Sequence, residues 1–135
     1  MEVSELNSED QKVISVAIEV IRQNYDGIHH SVGAAVLCSS GKIYSGVNVE
    51  SCGYGPCAEP IALGAALSSG ERDFLTIVAI DGGHPGYPVM PPCGNCRQLL
   101  FDYAPDAMVI LNYKNRLVKV KVIDFLPVPY QNFPS

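Results

Sequence analysis

No stretch of this chain is apolar for long enough to cross a membrane, and its start, Met1-Glu2-Val3-Ser4-Glu5, lacks the basic and apolar regions of a secretory leader. A cytoplasmic protein with no membrane partner is expected. Basic residues are also scarce: 9 Lys and Arg stand against 14 Asp and Glu, a formal charge of −5. Polynucleotide binders gather Lys and Arg on one face, so no nucleic-acid partner is expected and a small neutral or cationic substrate is favoured. Repeats and low-complexity tracts are missing. The 5 cysteines are an odd number, which suits reduced thiols and metal better than a disulfide framework. With 135 residues, 47% of them apolar, the chain suits one domain, 1–135, with no room for a second.

What is present centres on two stretches, Gly55-Pro56-Cys57-Ala58-Glu59 and Pro92-Cys93-Gly94-Asn95-Cys96-Arg97-Gln98. Together they supply three thiolates and one acid/base group. Zinc takes sulfur ligands in tetrahedral sites, and three protein ligands leave the fourth position for water, which separates a catalytic zinc from a structural one. A helix opening at about Cys93 projects Cys93 and Cys96 from one side of its first turn. The run after Cys57 reads as a second helix. Pro60 belongs in a first turn, so Cys57 falls at or next to the cap. Unpaired N–H groups and the positive dipole end of each helix favour thiolate over thiol. Three thiolates give zinc a net charge of −1, which blunts its Lewis acidity. The helix ends offset this, and Arg97 is expected to add hydrogen bonds to sulfur. Glu59, close in sequence but not needed as a ligand, is the candidate general base.

Each piece taken alone has another reading. A single C-x-x-C also fits a redox pair or half of a structural zinc site. Cys57 alone fits a small buried apolar residue. Cys52 or His84 is available as a fourth ligand, which would close the site. The conjunction decides: C-A-E followed by P-C-x-x-C is the signature of zinc nucleobase deaminases, with cysteine in place of the first histidine.

In order, Val32-Gly33-Ala34-Ala35, Gly46-Val47-Asn48-Val49-Glu50 and the two cysteine stretches resemble the blocks of the small zinc-dependent cytidine deaminases, over residues 30 to 126 or so. The Gly-Pro-Cys-Ala-Glu wording and the short gap from Asn48 to Cys57 are closer to the blasticidin S deaminases. The resemblance implies a five-stranded sheet, a homotetramer, and hydrolysis of a cytosine nucleoside, cytidine or deoxycytidine, to the uracil form with release of ammonia. Cys57, Cys93 and Cys96 would hold zinc, Glu59 would move the protons, and the backbone N–H of Ala58 would hold the C2 carbonyl. Asn48 and Glu50 would contact the ribose, and His30 falls where the family places an aromatic residue near the substrate. Retention of Glu50 favours ordinary nucleosides. Pro60, where cytidine deaminases carry arginine, leaves Arg97 and the helix ends to ease the thiolate charge and favours a blasticidin S-type relative. A zinc-stabilised assembly protein without turnover is the alternative from another class.

Elsewhere the pattern predicts a helix over 8–24 with Ser8 and Gln11 at capping-box spacing. Adjacent His29 and His30 point to opposite sides of an extended chain and are not a ligand pair. Residues 32–38, including Cys38, read as a strand buried on both faces, and 42–49 as its hairpin partner, delivering Asn48 and Glu50 to one face. Without the resemblance those two also fit a solvated strand end. A strand follows over 74–80. Residues 81–92 read as a loop, with Tyr87 and Met90 as pocket lining and His84 on the surface. The second metal helix runs to about Ala104. Strands over 107–113 and 116–122 flank a Lys114-Asn115 turn, and 124–135 is irregular. This order gives an α/β domain, a three-layer α-β-α arrangement with a mixed sheet covered on both faces.

Overall fold

The structure is a computed structural model and describes residues 1–131. Helix α1 is Ser8–Asn24, followed by β1 (Val32–Cys38), β2 (Ile43–Val47), α2 (Ala58–Ser68) and β3 (Phe74–Asp81). Then come β4 (Val89–Met90), α3 (Gly94–Tyr103), β5 (Met108–Tyr113), β6 (Arg116–Lys121) and a 3-10 turn, Val122–Phe125. The main sheet runs β2-β1-β3-β5-β6, with β3 and β5 parallel and the other neighbours antiparallel. The five-stranded mixed sheet is therefore present, and β4 adds a short sixth strand against Ala79 and Ile80. The loop expected over 81–92 contains that strand.

The two faces of the sheet explain why β1 and β3 read as unbroken apolar runs. Ala35 and Leu37 of β1 and Val78 and Ile80 of β3 pack with Val13, Ile14, Ala17 and Ile21 of α1. Their alternating neighbours Ala34, Val36, Cys38, Ile77 and Ala79 pack with Ala58, Ala62, Leu63 and Ala66 of α2 and Leu100 of α3. Side chains alternate across a strand, so a strand covered on both sides must be apolar throughout. Each fully buried Val, Leu or Ile contributes about 1.5–3 kcal/mol. Cys38 is fully buried in this core, and burial pushes its thiol up to about 11.

Helix α1 has its expected bounds but a different cap. Asn7 accepts from the Asp10 N–H and Asp10 accepts from the Asn7 N–H, at 3.0 and 2.8 Å, so the capping box sits one residue earlier than Ser8. Buried Asp10 also pairs with Lys119 of β6 at 3.0 Å. Two glycines let the helices sit directly on the hairpin. A Cβ on Gly33 would lie 2.5 Å from the Ala17 carbonyl oxygen of α1. A Cβ on Gly46 would lie 2.7 Å from the Ala62 nitrogen of α2. At the far edge, Lys114 and Asn115 both take positive φ (52° and 67°) in a two-residue turn that pairs Tyr113 with Arg116. Such turns match the twist of an antiparallel pair. The irregular end expected over 124–135 begins inside the 3-10 turn, and Asn132 and Phe133 lie outside the described residues. Among the described residues no helix is long and apolar enough to cross a membrane.

Candidate active site

Two helix N-termini meet at the cysteines. Cys57 is the N-cap of α2 and Cys93 the N-cap of α3, both in extended conformation, and neither makes a side-chain capping bond. No oxygen caps either helix; at α3 the Asn95 and Cys96 N–H groups face the Cys93 sulfur instead, and the positive ends of two dipoles converge. Pro60 lies in the first turn of α2, where its missing N–H costs nothing. The Sγ atoms of Cys57, Cys93 and Cys96 lie within 4.8 Å of one another, with Cys57 and Cys93 at 3.5 Å. Zinc–sulfur bonds of about 2.3 Å in a tetrahedron put sulfurs about 3.8 Å apart, so the donor set fits zinc.

Two of the three thiols do not ionise readily without a cation. Burial pushes Cys96 far up, and the Glu59 charge adds to that. Cys57 is raised by burial and by its bond to Cys93. For Cys93 burial also acts upward, but the Cys96 N–H, both neighbouring thiols and the Asn95 N–H more than offset it, and the thiol falls below its usual value. One ligand is thus prepared by the α3 N-terminus, while the other two require a positive partner to become thiolates. Among the described residues no fourth ligand joins the cluster. Cys52 is exposed, and His84 is exposed and bonds to Asp81.

Glu59, the second residue of α2, is 5% exposed. Burial holds its carboxyl above the usual range, opposed by its own N–H and by a hydrogen bond with the Cys96 thiol. A carboxylate held so takes up a proton more readily than one in water, which is what a base must do. Glu59, Cys57, Cys93 and Ala58 line a cavity of about 210 Å³, to which Asn48, Glu50, Ser31, Val32, Ala79, Met90 and Pro91 also contribute. The structure therefore brings the proposed metal, acid/base and sugar-contact residues together.

Asn48 is 5% exposed and most of its capacity is already used. Its Oδ1 accepts from the N–H groups of Ser31 (2.7 Å) and Val32 (2.9 Å), and Nδ2 lies 3.4 Å from the Ser31 hydroxyl. Its oxygen is committed to the start of β1, so its chief offer to a ligand is the amide donor. Glu50 is an exposed carboxylate at the rim.

Three expectations change. His30 does not line the cavity; its Nδ1 donates to the Asn48 carbonyl at 2.8 Å. Tyr87, with φ at 50°, packs on the α1 side of the sheet, and of the two loop residues only Met90 lines the cavity. Arg97 donates Nε to the Pro92 carbonyl at 3.0 Å and lays its guanidinium over the Phe125 ring at 5.2 Å, and among the described residues it bonds to no sulfur. It fixes the segment leading into Cys93 rather than the thiolates themselves. Ser31 was missed by sequence reasoning. Its role depends on pairing with Asn48 across the hairpin, and no local signal marks it.

The model for the cytidine and deoxycytidylate deaminase zinc-binding region matches residues 7–112. A blasticidin-S deaminase of Bacillus cereus is 37% identical over 96% of this chain and 98% of its own length. A cytidine deaminase of Halalkalibacterium halodurans is 39% identical over 71% of this chain and 74% of its own. The crystal structure of cytidine deaminase from Burkholderia pseudomallei superposes with a TM-score of 0.74 at 29% identity, covering 93% of this chain and 100% of that one. The Mycobacterium tuberculosis cytidine deaminase gives 0.75 at 27%, covering 93% and 99%. By sequence over nearly its whole length and by fold, this chain belongs to the cytidine and deoxycytidylate deaminase family of zinc enzymes.

Proposed function

We propose that residues 1–135 form one hydrolytic deaminase domain acting on a cytosine nucleoside, cytidine or deoxycytidine, and releasing ammonia and the uracil form. The observation that carries this is one cavity lined by Cys57, Cys93, the buried Glu59, Asn48 and Glu50, with the Cys96 sulfur within 4.8 Å of the other two thiols. Cys57, Cys93 and Cys96 would hold the zinc. When bound, zinc supplies the Lewis acidity that makes water nucleophilic near neutral pH.

The chain's own groups do the rest. As water adds to C4 of the ring, the Glu59 carboxylate takes its proton and delivers it to the adjacent ring nitrogen. The C4–N bond then breaks, and Glu59 passes the remaining hydroxyl proton to the departing amino group, which leaves as ammonia. Ala58, the first residue of α2, presents its N–H to the C2 carbonyl, where the helix end favours partial negative charge. The Asn48 amide donates to a sugar oxygen and the Glu50 carboxylate accepts from a hydroxyl. By resemblance the enzyme would be a homotetramer, and this reading gives it a place in pyrimidine salvage in the cytoplasm. Light scattering at working concentration tests the assembly.

A blasticidin S-type activity is the second reading. It is favoured by the match to the Bacillus cereus enzyme over 96% of this chain, against 71% for the Halalkalibacterium cytidine deaminase, and by Pro60. Ultraviolet assay with cytidine, deoxycytidine, cytosine and blasticidin S separates the two. Turnover of the antibiotic alone overturns the first reading, and inertness towards all four supports a zinc-stabilised assembly protein instead.

A further inference from the structure

The loop between α1 and β1 is tied to the sugar-contact end of the cavity at every step. Asp26 Oδ1 accepts from the N–H groups of Ile28, His29 and His30 at 2.9, 2.8 and 2.9 Å. The His29 carbonyl so placed accepts the Glu50 N–H at 3.1 Å. His30 Nδ1 donates to the Asn48 carbonyl, and the next two N–H groups, of Ser31 and Val32, go to Asn48 Oδ1. The Asn48 N–H returns to the Val32 carbonyl at 3.1 Å. Residues 48 and 50 lie beyond the end of β2, which closes at Val47; apart from the Asn48 bond to Val32 of β1 and the Val49 N–H bond to the Pro56 carbonyl at 3.0 Å, this loop supplies their backbone contacts. Their orientation depends on this loop.

We propose that Asp26 and His30 are positioning residues for the nucleoside: Asp26 folds the loop, and His30 with the His29 carbonyl fixes the backbone that aims Asn48 and Glu50 into the cavity. Neither side chain lines the cavity, so their effect passes through the backbone at 48–50. The three N–H donors, that of His30 foremost, also hold the Asp26 carboxyl well below its usual range, so it stays a full acceptor at working pH. The proposal rests on the deaminase reading only for the identity of the ligand.

The test uses full-length zinc enzyme with His30→Ala, His30→Asn, Asp26→Ala and Asp26→Asn. Asparagine at 30 retains a side-chain N–H donor, and asparagine at 26 retains the oxygen that accepts all three bonds. On the nucleoside that the wild type turns over, His30→Ala is expected to raise KM about three- to tenfold, the worth of one neutral hydrogen bond, and Asp26→Ala, which removes a charged acceptor of three bonds, at least about tenfold, with kcat within twofold in both. The asparagine variants should stay near wild type. With 1-methylcytosine, which has no sugar, all four should match the wild type. Amide exchange, read without substrate, should quicken at Asn48 to Glu50 in both alanine variants and not in the asparagine ones. Unchanged exchange there, or equal losses on the sugar-bearing and sugar-free substrates, overturns the proposal. A wild type inert to every nucleoside overturns the deaminase reading alone, and the exchange result then decides this one.

Discussion

The replacement Glu59→Gln bears most directly on the chemistry. Glutamine has nearly the shape of glutamate, so it fits the buried position at the start of α2 without a void. It cannot accept a proton. A positioned general acid/base is worth about 10²–10⁴-fold, or about 2.7–5.4 kcal/mol of barrier at about 1.36 kcal/mol per tenfold. Turnover should fall by that factor while the three thiols keep their zinc. Loss of cytidine absorbance, read beside zinc content by atomic absorption, measures both. A variant with bound zinc and activity within tenfold of wild type refutes the role of Glu59. Metal-free protein gives a second reading of the same residue. Burial raises the Glu59 pKa above its unfolded value, so between those values the native state holds more protons than the unfolded one. Stability then falls as pH rises through the folded pKa, and the penalty vanishes below the unfolded one, about 4.5. Metal-free Glu59→Gln lacks the ionised form, so its Tm should exceed that of metal-free wild type at pH 7 and the gap should close in acid.

Cys93→Ala should lose zinc, because two thiols that burial holds protonated remain, and its Tm should be insensitive to a chelator that lowers the wild-type value. Glu50→Gln should raise KM for nucleosides about 10- to 150-fold, the range for a hydrogen bond to a charged group, with little change on free cytosine. Lys119→Ala leaves the Asp10 carboxylate buried with only its capping bond. A cost of about 3 kcal/mol is expected, seen as a fall of roughly 10 °C in Tm. Gly46→Ala forces a Cβ against the α2 backbone and should cost about 1–3 kcal/mol by thermal melting, with weaker nucleoside binding as α2 shifts.

The elements tied to local chemistry were legible in the sequence. Pro60 and the cysteine spacing place both caps, and the Lys114-Asn115 pair places the last hairpin. What depended on distant partners was not. Strand β4 is two residues long in a glycine- and proline-rich loop, and only pairing with Ala79 and Ile80 makes it a strand. Ser8 and Asn7 are both good caps, and the choice fell to Asn7 because Asp10, anchored by Lys119, completes the box. His30 and Arg97 have the right residue types near the site, yet their partners are the carbonyls of Asn48 and Pro92, which no pattern of side chains announces.

At Gly46 the backbone of α2 at Ile61 and Ala62 comes directly against the backbone of β2, with the Ile61 side chain beside the contact. Side chains can rotate to absorb a displacement, but two stacked main chains have little give. Strand β2 runs out towards Asn48, and α2 begins at the end that carries Cys57 and Glu59. The contact therefore works as a gauge block, setting the span between Asn48 and the Cys57–Glu59 end of the cavity. A ligand of a different length would have to be accommodated by the 48–57 connection, the one segment between the two ends that this contact does not fix.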